Sequence, residues 1–223
     1  MAAKPILYGL YSSPTVNGVI MILKALKVDF EFREVKPLKK ENQTADYLKK
    51  NPTATIPCLE TEDHQFIGDS HAIATYLAER YGQDDSLYPK DLYKRAKVQQ
   101  LQHFSNSILF VSCVKAAYAP IFARQTNKVP DEIYKRIDEA LLMMERFLEQ
   151  NKWVACERMT IADLNCLPSI ASLYSLRPFT AESHPRLYDW FQRMMVIPYV
   201  VETLSSDAMA ATKRFLQKHV SHL

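Results

Sequence analysis

The chain has 223 residues, 48% of them hydrophobic and 24% charged, and its 28 basic and 25 acidic side chains leave a formal net charge of +3. That length fits one large domain or two small ones, with enough apolar material for a sizeable core. So mild a charge balance, with no stripe of Lys and Arg, argues against a nucleic-acid partner.

The opening Met1-Ala2-Ala3-Lys4-Pro5 lacks the apolar run of a secretory signal. Residues 5–10 (PILYGL) read as a short buried strand. A helix follows from Pro14, because Val16, Val19, Ile20, Leu23 and Leu26 recur at helical spacing. Pro14 suits the first turn, where its missing N–H costs nothing, and Ser13 stands at the N-cap. Its most apolar part, residues 19–23, is too short to cross a bilayer. Residues 28–34 alternate as a strand, so the unit is βαβ with parallel strands. Residues 41–50 read as a polar surface helix. Residues 55–60 and 65–67 read as a hairpin about Glu62-Asp63. Residues 70–81 are helical again, with Ile73, Tyr76, Leu77 and Tyr81 on one face.

After a polar linker, GQDDSLYP, no strand is visible. Residues 92–122 form one long helical pattern, with a break expected near Pro120. Residues 130–151, a segment opening at Thr160, residues 185–194 and residues 207–219 are further helices. The expected architecture is an α/β domain over residues 1–82 and an all-helical domain over residues 90–223. Cys58, Cys113, Cys156 and Cys166 make no C-x-x-C pair and have no metal-ligand spacing with histidine. They read as reduced thiols of a cytoplasmic protein, and no metal is expected.

Two local signals carry chemistry. In Asn51-Pro52-Thr53-Ala54-Thr55-Ile56-Pro57-Cys58-Leu59, a strand starting at Ile-Pro suggests a cis peptide that leaves the Ile56 backbone open to another peptide. An ordinary edge-strand proline is the other reading. In Gly68-Asp69-Ser70-His71-Ala72-Ile73, Asp69 or Ser70 caps a helix. The same helix start can hold a carboxylate on its free N–H groups, with Asp69 pairing an amine.

Taken with the order β-α-β-α-β-β-α, these motifs resemble the thioredoxin-like, glutathione-binding domain of the cytosolic glutathione transferases. Ser12-Ser13-Pro14 resembles the Ser-Pro start of the serine-type classes. Asp69-Ser70-His71-Ala72-Ile73, Tyr76-Leu77 and Asp85-Ser86-Leu87-Tyr88-Pro89-Lys90-Asp91 are similar to the insect delta and epsilon classes, epsilon more closely. Met159-Thr160-Ile161-Ala162-Asp163 is similar to the capping box and hydrophobic staple of the family's core helix.

The resemblance implies a transferase that joins the glutathione thiolate to small hydrophobic electrophiles in a detoxification role. Glutathione is the co-substrate, and the chain is expected to form a homodimer. The resemblance puts glutathione on Asn42, Thr55, Ile56, Pro57, Asp69, Ser70 and His71. In it Ile56 pairs with the cysteinyl part, Asp69 faces the amine and Ser70 the carboxylate. It makes Ser13 the catalytic residue, donating a hydrogen bond to sulfur. Ser12, Tyr8 and Tyr11 compete for that role. Lowering a thiol pKa from about 8.5 by ~2 units takes roughly 2.7 kcal/mol. A hydrogen bond to a charged acceptor supplies ~1.5–3 kcal/mol, and a helix end ~0.3–1. The implied electrophile pocket lies between the domains, at Pro14, Phe110, Cys113, Val114, Ala117, Ile121, Phe122 and Phe215.

The chain departs from the family pattern at four places. Thr53-Ala54 stands where epsilon relatives carry Gln-His, Asn42 where a second His is expected, Asn17 where an Arg is usual, and Ser105 where a Glu is common. A non-catalytic carrier of glutathione or hydrophobic ligands and an appended scaffold module are the alternative functions.

Overall fold

The computed structural model describes residues 4–219, so the first three and last four residues of the two expected domains lie outside it. Strand β1 (Ile6–Gly9) leads into helix α1 (Pro14–Ala25), and strand β2 (Glu31–Glu34) returns parallel to β1, with Ile6 opposite Glu31 and Gly9 opposite Glu34. Strands β3 (Cys58–Glu60) and β4 (Phe66–Gly68) form an antiparallel hairpin, and the sheet order is β2-β1-β3-β4. Helix α3 (Ser70–Tyr81) closes the unit.

Two strands are shorter than their alternation suggests. Before β2, Lys27 takes φ 57 and ends α1, so residues 28–30 serve as the turn back to the sheet. Before β3, the Thr55 carbonyl accepts from Tyr47 Oη at 2.7 Å and from Asn51 Nδ2 at 2.8 Å, so it has no ladder to join. The polar segment 41–50 is not one helix. It divides into a 3-10 turn (Glu41–Gln43) and α2 (Ala45–Lys50) at Thr44, whose extended backbone and hydroxyl cap α2 by accepting from the Tyr47 N–H.

The second half is helical. Helix α4 (Leu92–Phe104) continues without a break through a π-helical stretch (Ser105–Lys115) into α5 (Ala116–Phe122). The break expected near Pro120 does not occur; Pro120 sits inside α5, and the run ends beyond it, where Arg124 takes φ 56. Among the described residues this run alone is long and apolar enough to cross a bilayer. Its buried face, with Leu101, Leu109 and Val114, lies in the core shared with α6 (Asp131–Phe147) and α7 (Ile161–Tyr174). Helix α8 (Pro185–Met194) matches its expected bounds. Helix α9 (Pro198–Leu204) was not expected, because seven residues show too little periodicity to identify, and α10 (Asp207–His219) follows it.

The two halves share one core. Residues 16–23 of α1 are buried without exception, and they meet Leu7 and Leu59 of the sheet and Ile161, Leu164 and Leu167 of α7 in one cluster. Gly18 marks the close approach: a Cβ there would stand 3.2 Å from the Leu164 carbonyl oxygen and 3.4 Å from Asn165 Nδ2. Helix α7 starts at the expected capping box, in which Asp163 accepts from the Thr160 N–H at 2.8 Å while the Thr160 hydroxyl accepts from the Ala162 N–H. This core holds the start of α1 in place, and with it Ser13.

Candidate active site

Ser13 is the N-cap of α1 by backbone, with φ −85 and ψ 123, and Pro14 occupies the first turn as expected. The Ser13 side chain makes no capping hydrogen bond. Its Oγ lies instead 3.0 Å from Thr15 Oγ1, which reaches the Ile56 carbonyl oxygen at 3.5 Å. The first turn of α1 and the Ile56 loop therefore meet through two hydroxyls.

The Ile56–Pro57 peptide is cis, as the sequence suggests, and Pro57 is buried. Among the described residues no hydrogen bond uses the Ile56 N–H. The loop before it is built by side chains. Asn51, buried under it, binds the Thr55 carbonyl and Thr55 Oγ1 through Nδ2, and accepts from the Thr53 N–H and hydroxyl at Oδ1. A Cβ at position 68 would strike Asn51 Oδ1 at 2.9 Å, so glycine there is a packing requirement. Asn42 is also buried, and its Nδ2 donates to the Ala54 carbonyl. Its Oδ1 has no partner among the described residues. Asn42 and Thr55 thus stand in this loop, with Asn42 acting on its backbone.

The sheet brings the second motif alongside the first. Gly68 pairs with Cys58, so Asp69 and Ser70 leave β4 next to Ile56–Pro57. Asp69 takes φ 66, a conformation unusual for a residue with a side chain. It caps α3 by accepting from the N–H groups of His71 at 2.8 Å and Ala72 at 3.2 Å. Its pKa is lowered to about 2. The His71 imidazole beside it is the main cause, with Nδ1 3.6 Å from Oδ1, and the two N–H groups add to it against desolvation. The result is a fixed, half-exposed anion. Ser70 is buried, and its Oγ contacts His71 Nδ1 at 3.3 Å. The helical half reaches this point too: Asn106 Nδ2 lies 3.5 Å from Asp69 Oδ2, and Gln102 Nε2 lies 3.4 Å from the His71 carbonyl.

Of the rivals, Tyr8 has its hydroxyl engaged elsewhere. Tyr8 is buried and donates to Glu60 Oε2 at 2.7 Å, and burial followed by that bond pushes its pKa up to about 12. Tyr11 stacks on Phe32 with ring centroids 4.0 Å apart, and desolvation raises its pKa.

The residues of the expected electrophile pocket differ in setting. Pro14, Phe110, Phe122 and Phe215 are half-buried, and Phe122 stacks on Phe215 at 5.6 Å, joining α5 to α10. Val114, Ala117 and Ile121 are buried. Cys113 is fully buried, with Sγ 3.6 Å from the Arg136 carbonyl oxygen of α6, and burial pushes its thiol up to about 11. It is packed between helices and is not part of an open wall. A polar surface depression of about 490 Å³ at the far end of α1, lined by Lys27, Asp29, Glu62 and Arg80 among others, shares no residue with the site. No group of acidic, His and Cys side chains that could hold a metal occurs among the described residues.

Thr15, Asn51 and Asn106 were not identified in the sequence. Thr15 looks like one more polar residue in a first turn. Asn51 had no sign beyond its place in the loop. Nothing local ties Asn106 to Asp69, 37 residues away.

Known proteins share this fold. Residues 7–85 match the glutathione S-transferase N-terminal domain, and residues 107–198 match the C-terminal domain. Glutathione S-transferase 1 of Manduca sexta is 37% identical over 189 residues, 84% of this chain and 86% of that protein. An epsilon-class glutathione S-transferase from the housefly, Musca domestica, superposes with a TM-score of 0.92 at 37% identity, over 98% of this chain and 100% of that one. A glutathione transferase homologue of Drosophila mojavensis, solved with bound glutathione, superposes with a TM-score of 0.91 at 37% identity, over 97% of this chain and 98% of that one. The chain belongs to the glutathione S-transferase family, among the insect cytosolic enzymes of epsilon and delta type.

Proposed function

We propose that this transferase is of the serine type, with the Ser13 hydroxyl holding the glutathione sulfur as a thiolate for attack on hydrophobic electrophiles. The observation that carries the reading is the state of that hydroxyl. It stands at the start of α1, is not spent on the helix cap, and among the described residues hydrogen-bonds only to Thr15. A hydroxyl not spent on the cap, at the positive end of a helix, suits an anionic sulfur.

In the proposed binding mode the peptide backbone of glutathione pairs with Ile56. Its γ-glutamyl amine meets the fixed anion of Asp69, and its carboxylate meets Ser70 at the start of α3. Asn42, Thr55, Pro57 and His71 shape the surrounding surface. The thiol gives up its proton to solvent, and the thiolate forms a carbon–sulfur bond with the electrophile, either by addition, in which a π bond opens and the resulting carbanion takes a proton from solvent, or by displacing a leaving group, which departs with its electron pair. Pro14, Phe110, Phe122 and Phe215 offer the electrophile an apolar wall, with Val114, Ala117 and Ile121 behind them. A homodimer in the cytoplasm completes the proposal, and sedimentation of the purified chain checks the dimer.

Ser13→Ala tests the chemistry. Loss of a hydrogen bond to a charged acceptor, ~1.5–3 kcal/mol, corresponds to a roughly 10- to 100-fold drop in kcat/KM with a chloronitrobenzene substrate. The fold should be unaffected, because this side chain caps nothing. A fully active Ser13→Ala enzyme overturns the assignment.

A further inference from the structure

Two hydroxyls open α1, and their contacts form a short chain. Ser13 Oγ and Thr15 Oγ1 lie 3.0 Å apart, and Thr15 Oγ1 lies 3.5 Å from the Ile56 carbonyl oxygen. Among the described residues, neither hydroxyl bonds to a carboxylate, an imidazole or an amine. Each carries one proton to donate. One arrangement satisfies both contacts: Ser13 donates to Thr15, and Thr15 donates to the Ile56 carbonyl. In that arrangement the Ser13 proton points along the chain and is not available to a sulfur atom.

The reverse arrangement serves catalysis. If Thr15 donates to Ser13, the Ser13 proton is released from this contact and can turn to another acceptor. A donor that itself accepts a hydrogen bond is polarised and donates more strongly. Reversal gives up the long bond to Ile56, so it is favoured when another donor takes over that carbonyl. The backbone N–H of a peptide lying along Ile56 is such a donor.

We propose that Thr15 is a positioning residue for Ser13, and that peptide binding at Ile56 turns the hydroxyl chain toward the sulfur. The ligand N–H occupies the Ile56 carbonyl, Thr15 rotates its proton to Ser13 Oγ, and Ser13 directs its own to the thiolate. Only two O–H rotations occur; no covalent bond forms or breaks. Recognition of the peptide backbone is thereby linked to stabilisation of the thiolate. This rests on the reading of Ser13 as the sulfur's donor.

The test is the ultraviolet thiolate absorbance of enzyme-bound glutathione, titrated in wild type, Thr15→Val, Thr15→Ser and Ser13→Ala. Thr15→Val keeps the shape of the side chain and removes the hydroxyl; Thr15→Ala replaces it if the valine protein does not fold. The expected result is a bound-thiol pKa raised by about half a unit to one unit in Thr15→Val, the equivalent of one hydrogen bond. Thr15→Ser should return it to the wild-type value, and in both Thr15 variants glutathione affinity measured below the bound-thiol pKa should stay within about twofold. An unchanged pKa in Thr15→Val overturns the proposal. So does a Thr15→Ser protein as impaired as the valine variant, because the lost methyl would then be responsible. If Ser13→Ala leaves the pKa in place, the serine reading itself fails. If Ser13→Ala raises it and Thr15→Val does not, only the role of Thr15 falls.

Discussion

The indole N–H of Trp190 in α8 donates to Asp163 Oδ1 in α7 at 2.9 Å, with both side chains fully buried. The same oxygen accepts from the Val154 N–H at 3.0 Å, and Oδ2 accepts from the N–H and hydroxyl of Thr160. One carboxylate therefore fixes the start of α7, the segment before it and the inner face of α8. Asp163→Asn turns an amide N–H₂ toward donors on one side. The expected cost is about 2–3 kcal/mol, from unpaired buried N–H groups. Urea unfolding measures it, and a loss below about 0.5 kcal/mol would contradict this account.

The contact between the two halves of the chain depends on the small size of Gly18. Its missing Cβ would already stand 3.2 Å from the Leu164 carbonyl oxygen. The two further methyl groups of Gly18→Val have no room without moving the α7 backbone. Overpacking of this kind costs about 1–3 kcal/mol. Thermal unfolding should show a lower midpoint, and turnover should fall with it because α1 carries Ser13.

Tyr8 has a structural role. Its hydroxyl supports the buried Glu60 carboxylate, and Arg33 Nη1 donates to it at 3.0 Å. Tyr8→Phe should leave kcat/KM within about twofold. It should also lower stability by about 1–2 kcal/mol, because Glu60 loses a donor. Steady-state kinetics beside urea unfolding separates the two effects, and a large loss of turnover at unchanged stability would return Tyr8 to the list of catalytic candidates.

Asp69 should remain ionised through any ordinary assay. Its folded pKa, lowered to about 2, lies below the unfolded value of about 3.9. The stability it contributes is therefore fully present above pH ~4 and is lost as pH falls through about 2. The carboxylate is half-exposed and screened by water, so the pH window matters more than the size. Asp69→Asn keeps a capping oxygen and removes the charge. Its stability difference from wild type should shrink as pH falls below ~4, read by urea unfolding at each pH. A difference that stays the same down to pH ~2 would contradict the assignment.

Much of this protein is set by signals that act within one or two helical turns. The bounds of residues 70–81 and 185–194, the Pro14 start of α1 and the Thr160–Asp163 box depend on caps and periodicity, so they are legible residue by residue. The Ile56–Pro57 turn and the Asp69-Ser70 helix start are local in the same way. Packing decided the rest, because those contacts join residues far apart in the chain. Side chains from Tyr47 and Asn51 take the Thr55 carbonyl and shorten β3, which no alternation pattern encodes. Helix α9 is too short to show a period and is held against α1, where Lys24 Nζ meets Glu202 at 2.9 Å. Cys113 has the composition of a pocket residue, but its rotation on the helix turns it toward α6. Sequence identifies Ser13 as a helix cap. Only the tertiary structure takes its hydroxyl off the cap and brings it, through Thr15, to a loop more than forty residues further along the chain. A cap is specified by its neighbours in sequence, whereas the partner of a side-chain hydroxyl depends on everything that packs around it.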